Sequence, residues 1–276
     1  MTFLDTIAES RRRRVAEARA REPLEALRER AQCRPPALDL LARLAGVPQA
    51  RRAVIAEIKR RSPSKGSLRP GLDPAALARE YEAAGAAAVS VLTEPDHFGG
   101  SIADLEAVRG AVELPLLYKD FVLDPYQLWE ARAAGADLVL LIVALLGAQT
   151  ARYVGLAAGA GLTPLVEVHD GPELEMAVAS GARLVGVNNR NLKTFEVDPG
   201  TSRSLLPRLP PGVAGVAESG LTAPEDLDGL LPFGARAFLI GEALVRDPDP
   251  GAALRRFVER GPPPPLGEAD RGGGRP

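Results

Sequence analysis

Five residues of this 276-residue chain have types and spacing suited to moving protons: Glu57, Lys59, Lys119, Glu167 and Glu218. Glu57 and Lys59 stand two apart at the end of an apolar run, so their side chains share one face of an extended strand. Lys119 follows the run Leu116–Tyr118, Glu167 lies inside Leu165–Val168, and Glu218 follows Val213–Ala217. Two ammonium groups and three carboxylates brought together are costly to bury unless they are paired or put to use. An ion-pair plug is the structural alternative. Acid–base chemistry, an ammonium donating and a carboxylate accepting, is the preferred reading. Asn188, Asn189 and Arg190 add polar groups after the run Leu184–Val187. His97 and His169 form no ligand-spaced pair, so no metal is expected, and the single Cys33 excludes an internal disulfide. His169 reads as a polar loop residue or a neighbour of a helix cap at Asp170.

Lysine is scarce: four, at 59, 65, 119 and 193, against 30 arginines. Compositional bias explains the ratio, yet the survivors can mark places where a guanidinium cannot replace an ammonium. The elements that would carry them are eight short, nearly continuous apolar runs, as expected of parallel strands buried on both faces. They are Val54–Ile58, Ala88–Leu92, Leu116–Tyr118, Leu138–Val143, Leu165–Val168, Leu184–Val187, Val213–Ala217 and Ala237–Ile240. The segments AAGAAAVSV, AAGADLVLL, ASGARLVGV and FGARAFLIG share one grammar, a helix end, a glycine cap and a strand start. Their glycines, Gly85, Gly135, Gly181 and Gly234, are 50, 46 and 53 residues apart, so each step holds two strand–helix units. Four such pairs predict an α/β fold, a single (β/α)8 TIM barrel. A doubly wound open sheet, the alternative, would not produce four near-equal steps.

Barrel enzymes work at the C-terminal ends of their strands, where Glu57, Lys59, Lys119, Glu167, Asn188, Asn189, Arg190 and Glu218 fall. Ser219-Gly220 and Gly241-Glu242, at the seventh and eighth strand ends, predict an anion cradle of backbone N–H groups aided by a following helix N-terminus. Ser62, Ser64 and Gly66 of the first loop could complete it. Residues 1–50 read as a charged helical extension, with Leu4, Ile7, Val15 and Ala18 at helical spacing and Arg11–Arg14 as a solvated face. Residues 51–260 would form the barrel, and 261–276 a disordered Pro/Gly-rich tail. The formal net charge of -2 argues against nucleic acid as the main partner. The longest apolar stretch falls well short of the roughly 20 residues of a membrane span, and no signal-peptide run opens the chain. A cytoplasmic enzyme is the expectation.

The segments AEIKRRSPSKG (56–66), SVLTEPDHFGGS (90–101), YKDFVLDPYQ (118–127), VEVHD (166–170), GVNNRNLKTFEVD (186–198), AESGL (217–221) and LIGEAL (239–244) closely resemble the indole-3-glycerol phosphate synthase family of tryptophan biosynthesis. The likeness runs in order from the first helix to Phe257. It implies a carboxy-lyase that closes, decarboxylates and dehydrates 1-(2-carboxyphenylamino)-1-deoxyribulose 5-phosphate, without a cofactor. It further implies Lys119 as the general acid on the substrate carbonyl and Glu167 as base or proton relay in the dehydration. Lys59 would hold the substrate carboxylate or supply a proton, and the division between the two lysines stays open. Glu57, Asn188 and Glu218 match the polar ring around the reacting centre and Arg190 a site arginine. Ser62, Ser219, Gly220 and Gly241 match the phosphate region, with Glu242 at a position that varies. The extension is expected over the barrel mouth, and the assembly is expected to be a monomer or weak homodimer, open to association with other tryptophan-pathway enzymes. An acid for this carbonyl should have a pKa falling toward neutrality, as a crowded ammonium provides.

Three other readings share the scaffold. A Schiff-base aldolase would use Lys119 as nucleophile, a phosphosugar isomerase would want a cysteine at the first strand end, and a non-catalytic phospho-ligand binder would need neither Lys119 nor Glu167.

Overall fold

A computed structural model describes residues 3–63, 65–192 and 194–260. The segment 261–276, expected as a disordered tail, lies outside the described residues, as do Ser64 and Lys193. Eight parallel strands close on themselves: β1 (Val54–Ile58), β2 (Ala88–Leu92), β3 (Leu116–Lys119), β4 (Leu138–Ile142), β5 (Thr163–Val168), β6 (Leu184–Asn188), β7 (Ala214–Glu218) and β8 (Ala235–Ile240). Each pairs with its neighbours in sequence, and β8 returns to β1 with Val54 opposite Phe238. The strands differ from the sequence expectation mainly at their ends, where Lys119, Asn188 and Glu218 belong to the ladders themselves.

The period of two sorts every strand. Val54, Ala56, Tyr118, Val139 and Leu141 face the surrounding helices in one apolar cluster. Ile55, Leu117, Leu140, Leu165, Val216 and Leu239 fill the barrel interior in another. The next inward positions after Ile55, Leu117, Leu165 and Val216 are Glu57, Lys119, Glu167 and Glu218. The charged residues thus stand one layer above a dry apolar floor.

Local chemistry sets the helices between strands. Asp-Pro opens three of them: Asp73, Asp124 and Asp249 each accept backbone N–H bonds at an N-cap while Pro74, Pro125 and Pro250 take the first helical position. At the other ends Gly85, Gly135, Gly181 and Gly234 all have positive φ, as the repeat requires.

The extension forms α1 (Phe3–Arg21), α2 (Leu24–Gln32) and α3 (Leu40–Ala45). Only α1 reaches the mouth, where Leu4 and Ile7 join the cavity wall. Helix α2 lies outside the barrel against the helix Pro125–Ala134, its Leu27 and Ala31 packed with Val15, Tyr126 and Ala133. Leu40 of α3 is fully buried in the interior cluster with Ala53, Leu138 and Leu184, so α3 closes the opposite end of the barrel. Arg11 departs from the expected solvated face. It is buried and forms an ion pair at 2.9 Å with the buried Asp120, whereas Arg12, Arg13 and Arg14 are exposed. Asp120 also accepts the Thr93 hydroxyl at 2.7 Å, which ties α1 to the residue next to Lys119. Among the described residues no helix is long and apolar enough to cross a membrane.

Candidate active site

A cavity of about 850 Å³ opens at the C-terminal ends of the strands. Glu57, Lys59, Lys119, Glu167, Asn188 and Glu218 line it, together with Arg190, Ser62, Ser219, Gly220, Gly241 and Glu242. These twelve residues expected from the sequence therefore meet in one place, whereas Gly66, expected to complete the anion cradle, does not line the cavity and Ser64 lies outside the described residues. Lys65 lines it too, making three lysines at the mouth; the fourth, Lys193, lies outside the described residues.

Lys119 is the hub. Its Nζ donates to Glu218 Oε2 at 2.9 Å and to Glu167 Oε2 at 3.2 Å. Burial alone would lower the ammonium pKa, but Glu218, Glu167 and Glu57 outweigh it and hold the pKa above the ordinary lysine value. This reverses the expected fall toward neutrality, because the crowding groups are anions and not cations. The two glutamates respond in opposite directions. Burial would raise Glu167, yet Lys119, His169 and Asn188 pull it well below the carboxylate range. Burial raises Glu218 to about 7, against Lys119 and with help from the Glu167 charge. The site therefore holds one firm carboxylate and one that burial and its anionic neighbour dispose to take up a proton. Glu218 Oε1 is buried with no hydrogen-bond partner.

A second pair stands on β1, where Lys59 Nζ donates to Glu57 Oε1 at 2.6 Å. Two glycines make room for these carboxylates. A Cβ at Gly241 would come 2.5 Å from Glu57 Oε1, and one at Gly186 would overlap Glu218 Oε1. Neither glycine is needed for its φ; each is needed for the space.

The anion end is built from loop geometry. Ser219 and Gly220 have successive positive φ values of 65° and 74°, a tight backbone turn at the cavity wall. For Ser219 that conformation is strained, and Asn189 holds it by donating from Nδ2 to the Ser219 carbonyl at 3.0 Å. A Cβ at Gly220 would meet Val197 Cγ1 at 2.5 Å. Gly241 leads directly into the short helix Glu242–Val245. Ser62, whose buried Oγ has no partner, sits in a two-stranded hairpin, Arg61–Ser62 with Gly66–Ser67, where the sequence suggests only a loop. Arg190 donates to the Phe195 carbonyl at 3.0 Å, and its own N–H bonds Asn188 Oδ1.

Sequence reasoning missed the apolar wall and several supports. Phe98 and Phe121, ring centroids 6.0 Å apart, join Leu4, Ile7 and Leu192 on one side of the cavity. Arg246, next to Glu242 at 3.5 Å, adds positive charge near the anion end. His169, expected as loop furniture, contacts Glu167 and Glu173. Of these, His169 alone carried a sequence signal, its place two residues after Glu167. Among the described residues no group of three or more His, Cys, Asp or Glu side chains is arranged to hold a metal ion.

Comparison with known proteins agrees with this geometry. The indole-3-glycerol phosphate synthase family pattern matches residues 4–257. The chain is 51% identical over 267 residues to indole-3-glycerol phosphate synthase 1 of Streptomyces coelicolor, covering 96% of this chain and 98% of that one. It is 50% identical to the indole-3-glycerol phosphate synthase of Streptomyces griseus, with the same coverage. In fold it resembles a thiamine phosphate pyrophosphorylase from Pyrococcus furiosus, TM-score 0.57 at 16% identity, over 75% of this chain and 93% of that one. With a family match over nearly its whole length and half its residues shared with these relatives, the chain belongs to the indole-3-glycerol phosphate synthase family.

Proposed function

We propose that this barrel converts 1-(2-carboxyphenylamino)-1-deoxyribulose 5-phosphate to indole-3-glycerol phosphate, carbon dioxide and water, with Lys119 as the acid of ring closure. The observation that carries the assignment of roles is the Lys119 ammonium gripped between Glu167 and Glu218 at the mouth. The substrate phosphate sits at the Ser219-Gly220 and Gly241-Glu242 end, with Ser62, Lys65 and Arg246 around it. The aryl ring lies on Phe98, Phe121, Leu4 and Ile7, and its carboxylate meets Lys59. Arg190 borders the same ring of polar groups.

As the ring carbon bearing the carboxylate attacks the carbonyl, negative charge grows on the carbonyl oxygen. An alkoxide is more basic than even a strengthened ammonium, so proton transfer from Lys119 runs downhill. Glu218, which shares the Lys119 contact and whose hold on a proton is strengthened by burial, returns the proton to the lysine. Loss of carbon dioxide restores the aromatic ring. Glu167 then takes a proton from the former C1 methylene of the sugar chain, now beside the nitrogen in the five-membered ring, while the new hydroxyl accepts a proton from the recharged Lys119 and departs as water. Glu57 fixes Lys59, and Asn188 orients Glu167. A Schiff-base role for Lys119 is disfavoured by the same geometry, since it needs a neutral amine and the two carboxylates hold the charged form.

The test is a fluorescence assay for indole-3-glycerol phosphate. Lys119→Ala should lose about 10³-fold in kcat, and Lys119→Arg, which keeps the charge but cannot release a proton, nearly as much. No product from wild type, or near-normal turnover in either variant, would refute the assignment. We further infer a division at residues 50 and 260 into extension, barrel and tail. The family's biosynthetic role supports a cytoplasmic monomer or weak homodimer, free to meet other enzymes of the pathway; light scattering reads the assembly.

A further inference from the structure

We propose that His169, held by Glu173, is a positioning residue that keeps Glu167 ionised and turned toward Lys119. The inference rests on the catalytic reading above. His169 follows Glu167 by two residues, just past the end of β5 and one step nearer solvent. Its Nε2 lies 3.3 Å from Glu167 Oε1. Nε2 is buried and makes no hydrogen bond, so the contact with Glu167 is an ion pair. Nδ1 lies 3.0 Å from Glu173 Oε2, and that same oxygen accepts the His169 backbone N–H at 2.8 Å. Glu173 is itself fixed, because Asp170 caps the helix Gly171–Ala179 by accepting the Glu173 N–H at 2.9 Å. The first helical turn thus clamps the imidazole from both its backbone and its ring.

The two oxygens of Glu167 are divided between two cations: Oε2 faces Lys119 and Oε1 faces His169. Around them stand Asn188 from β6, Glu218 from β7 and Glu57 from β1, the last two acting on Lys119 as well. Reading outward, charge alternates along Glu218, Lys119, Glu167, His169 and Glu173. Burial would lower the imidazole pKa, but Glu167 and Glu173 overcome it and carry it to about 10. The ring is therefore an imidazolium through the whole neutral range, a donor from both nitrogens. It acts as a fixed charge and not as a switch. A ring that only finished the helix cap would need Glu173 and leave Glu167 indifferent.

The chain has two histidines, so ring nitrogens can be followed directly by 15N NMR, with His97→Gln assigning the other. Wild type should show His169 protonated to about pH 10. In Glu173→Gln its midpoint should fall by about one unit or more as one carboxylate is lost. His169→Gln should lower kcat about tenfold or more, with KM changed less than about threefold. A His169 midpoint near the ordinary 6.5 overturns the proposal, as does an unchanged kcat in His169→Gln. If that variant fails to fold, the Glu173→Gln titration and its kcat carry the test. A wild type that titrates as described but makes no indole-3-glycerol phosphate would sink the catalytic reading and leave the ion chain standing.

Discussion

Gly186→Ala is the sharpest probe of how the barrel holds its acid–base pair. Gly186 occupies the inward position of β6 between Leu184 and Asn188, opposite Glu167 in the ladder, and is not among the residues lining the cavity. A methyl there would overlap Glu218 Oε1 and come 3.2 Å from Glu218 Cδ. The nearer Leu165 methyl, at 3.4 Å, leaves no relief in that direction. To regain contact distance the carboxylate must retreat by about 1 Å, which breaks the 2.9 Å bond to Lys119. Misplacement on that scale costs about 10²-fold in kcat, or about 2.7 kcal/mol of transition-state stabilisation. Overpacking should also cost about 1–3 kcal/mol of stability. The fluorescence assay is run on Gly186→Ala, Glu218→Ala and the double variant. Glu218→Ala removes the colliding atoms, so adding Gly186→Ala to it should change kcat less than about twofold. Equal losses from Gly186→Ala in both backgrounds, or a near-normal kcat in the single variant, would refute the reasoning.

Two further outcomes concern the buried ionic cluster beneath α1. Arg11→Ala strands the buried Asp120 carboxylate beside Lys119 and should cost about 3 kcal/mol in urea unfolding, with Arg11→Lys recovering part. A loss under about 1 kcal/mol would show that the pair holds little. Glu130 accepts the Tyr118 hydroxyl, and burial raises its pKa from the ordinary 4.5 to about 7. The stability its neutral form contributes is full below pH 4.5 and lost as pH rises through about 7. Glu130→Gln, neutral throughout, should gain on wild type across that window by at most about 3 kcal/mol. An equal difference between the two proteins at both ends of the window would contradict the burial argument.

Which facts could be read from sequence follows from how far their causes reach along the chain. The barrel was legible because its grammar is local: Gly85 and its three counterparts end helices within one turn, and β-strand alternation puts Glu57 above Ile55 and Lys119 above Leu117 by spacing alone. Alternation places the strand residues of the site, strand-end glycines and the family resemblance supply the loop residues, and all twelve reach one cavity. What charge those residues carry was not legible, because it depends on distances between strands. Lys119 is crowded, as the residue types implied. Whether crowding weakens or strengthens an ammonium turns on which groups arrive within 3.2 Å, and the arrivals are Glu167 from β5 and Glu218 from β7. Arg11 was misread for a related reason: four consecutive arginines look alike on a helix, and the one whose partner is Asp120 is distinguished only by how α1 crosses the mouth. The raised lysine also changes what the enzyme must do. An ammonium made less acidic by its anions cannot protonate a ground-state ketone, so ring closure has to build oxyanion charge before the proton moves. Catalysis then lies in placing the attacking carbon and the carbonyl so that this charge develops within reach of Lys119, which is a demand on the apolar wall of Phe98 and Phe121 as much as on the lysine.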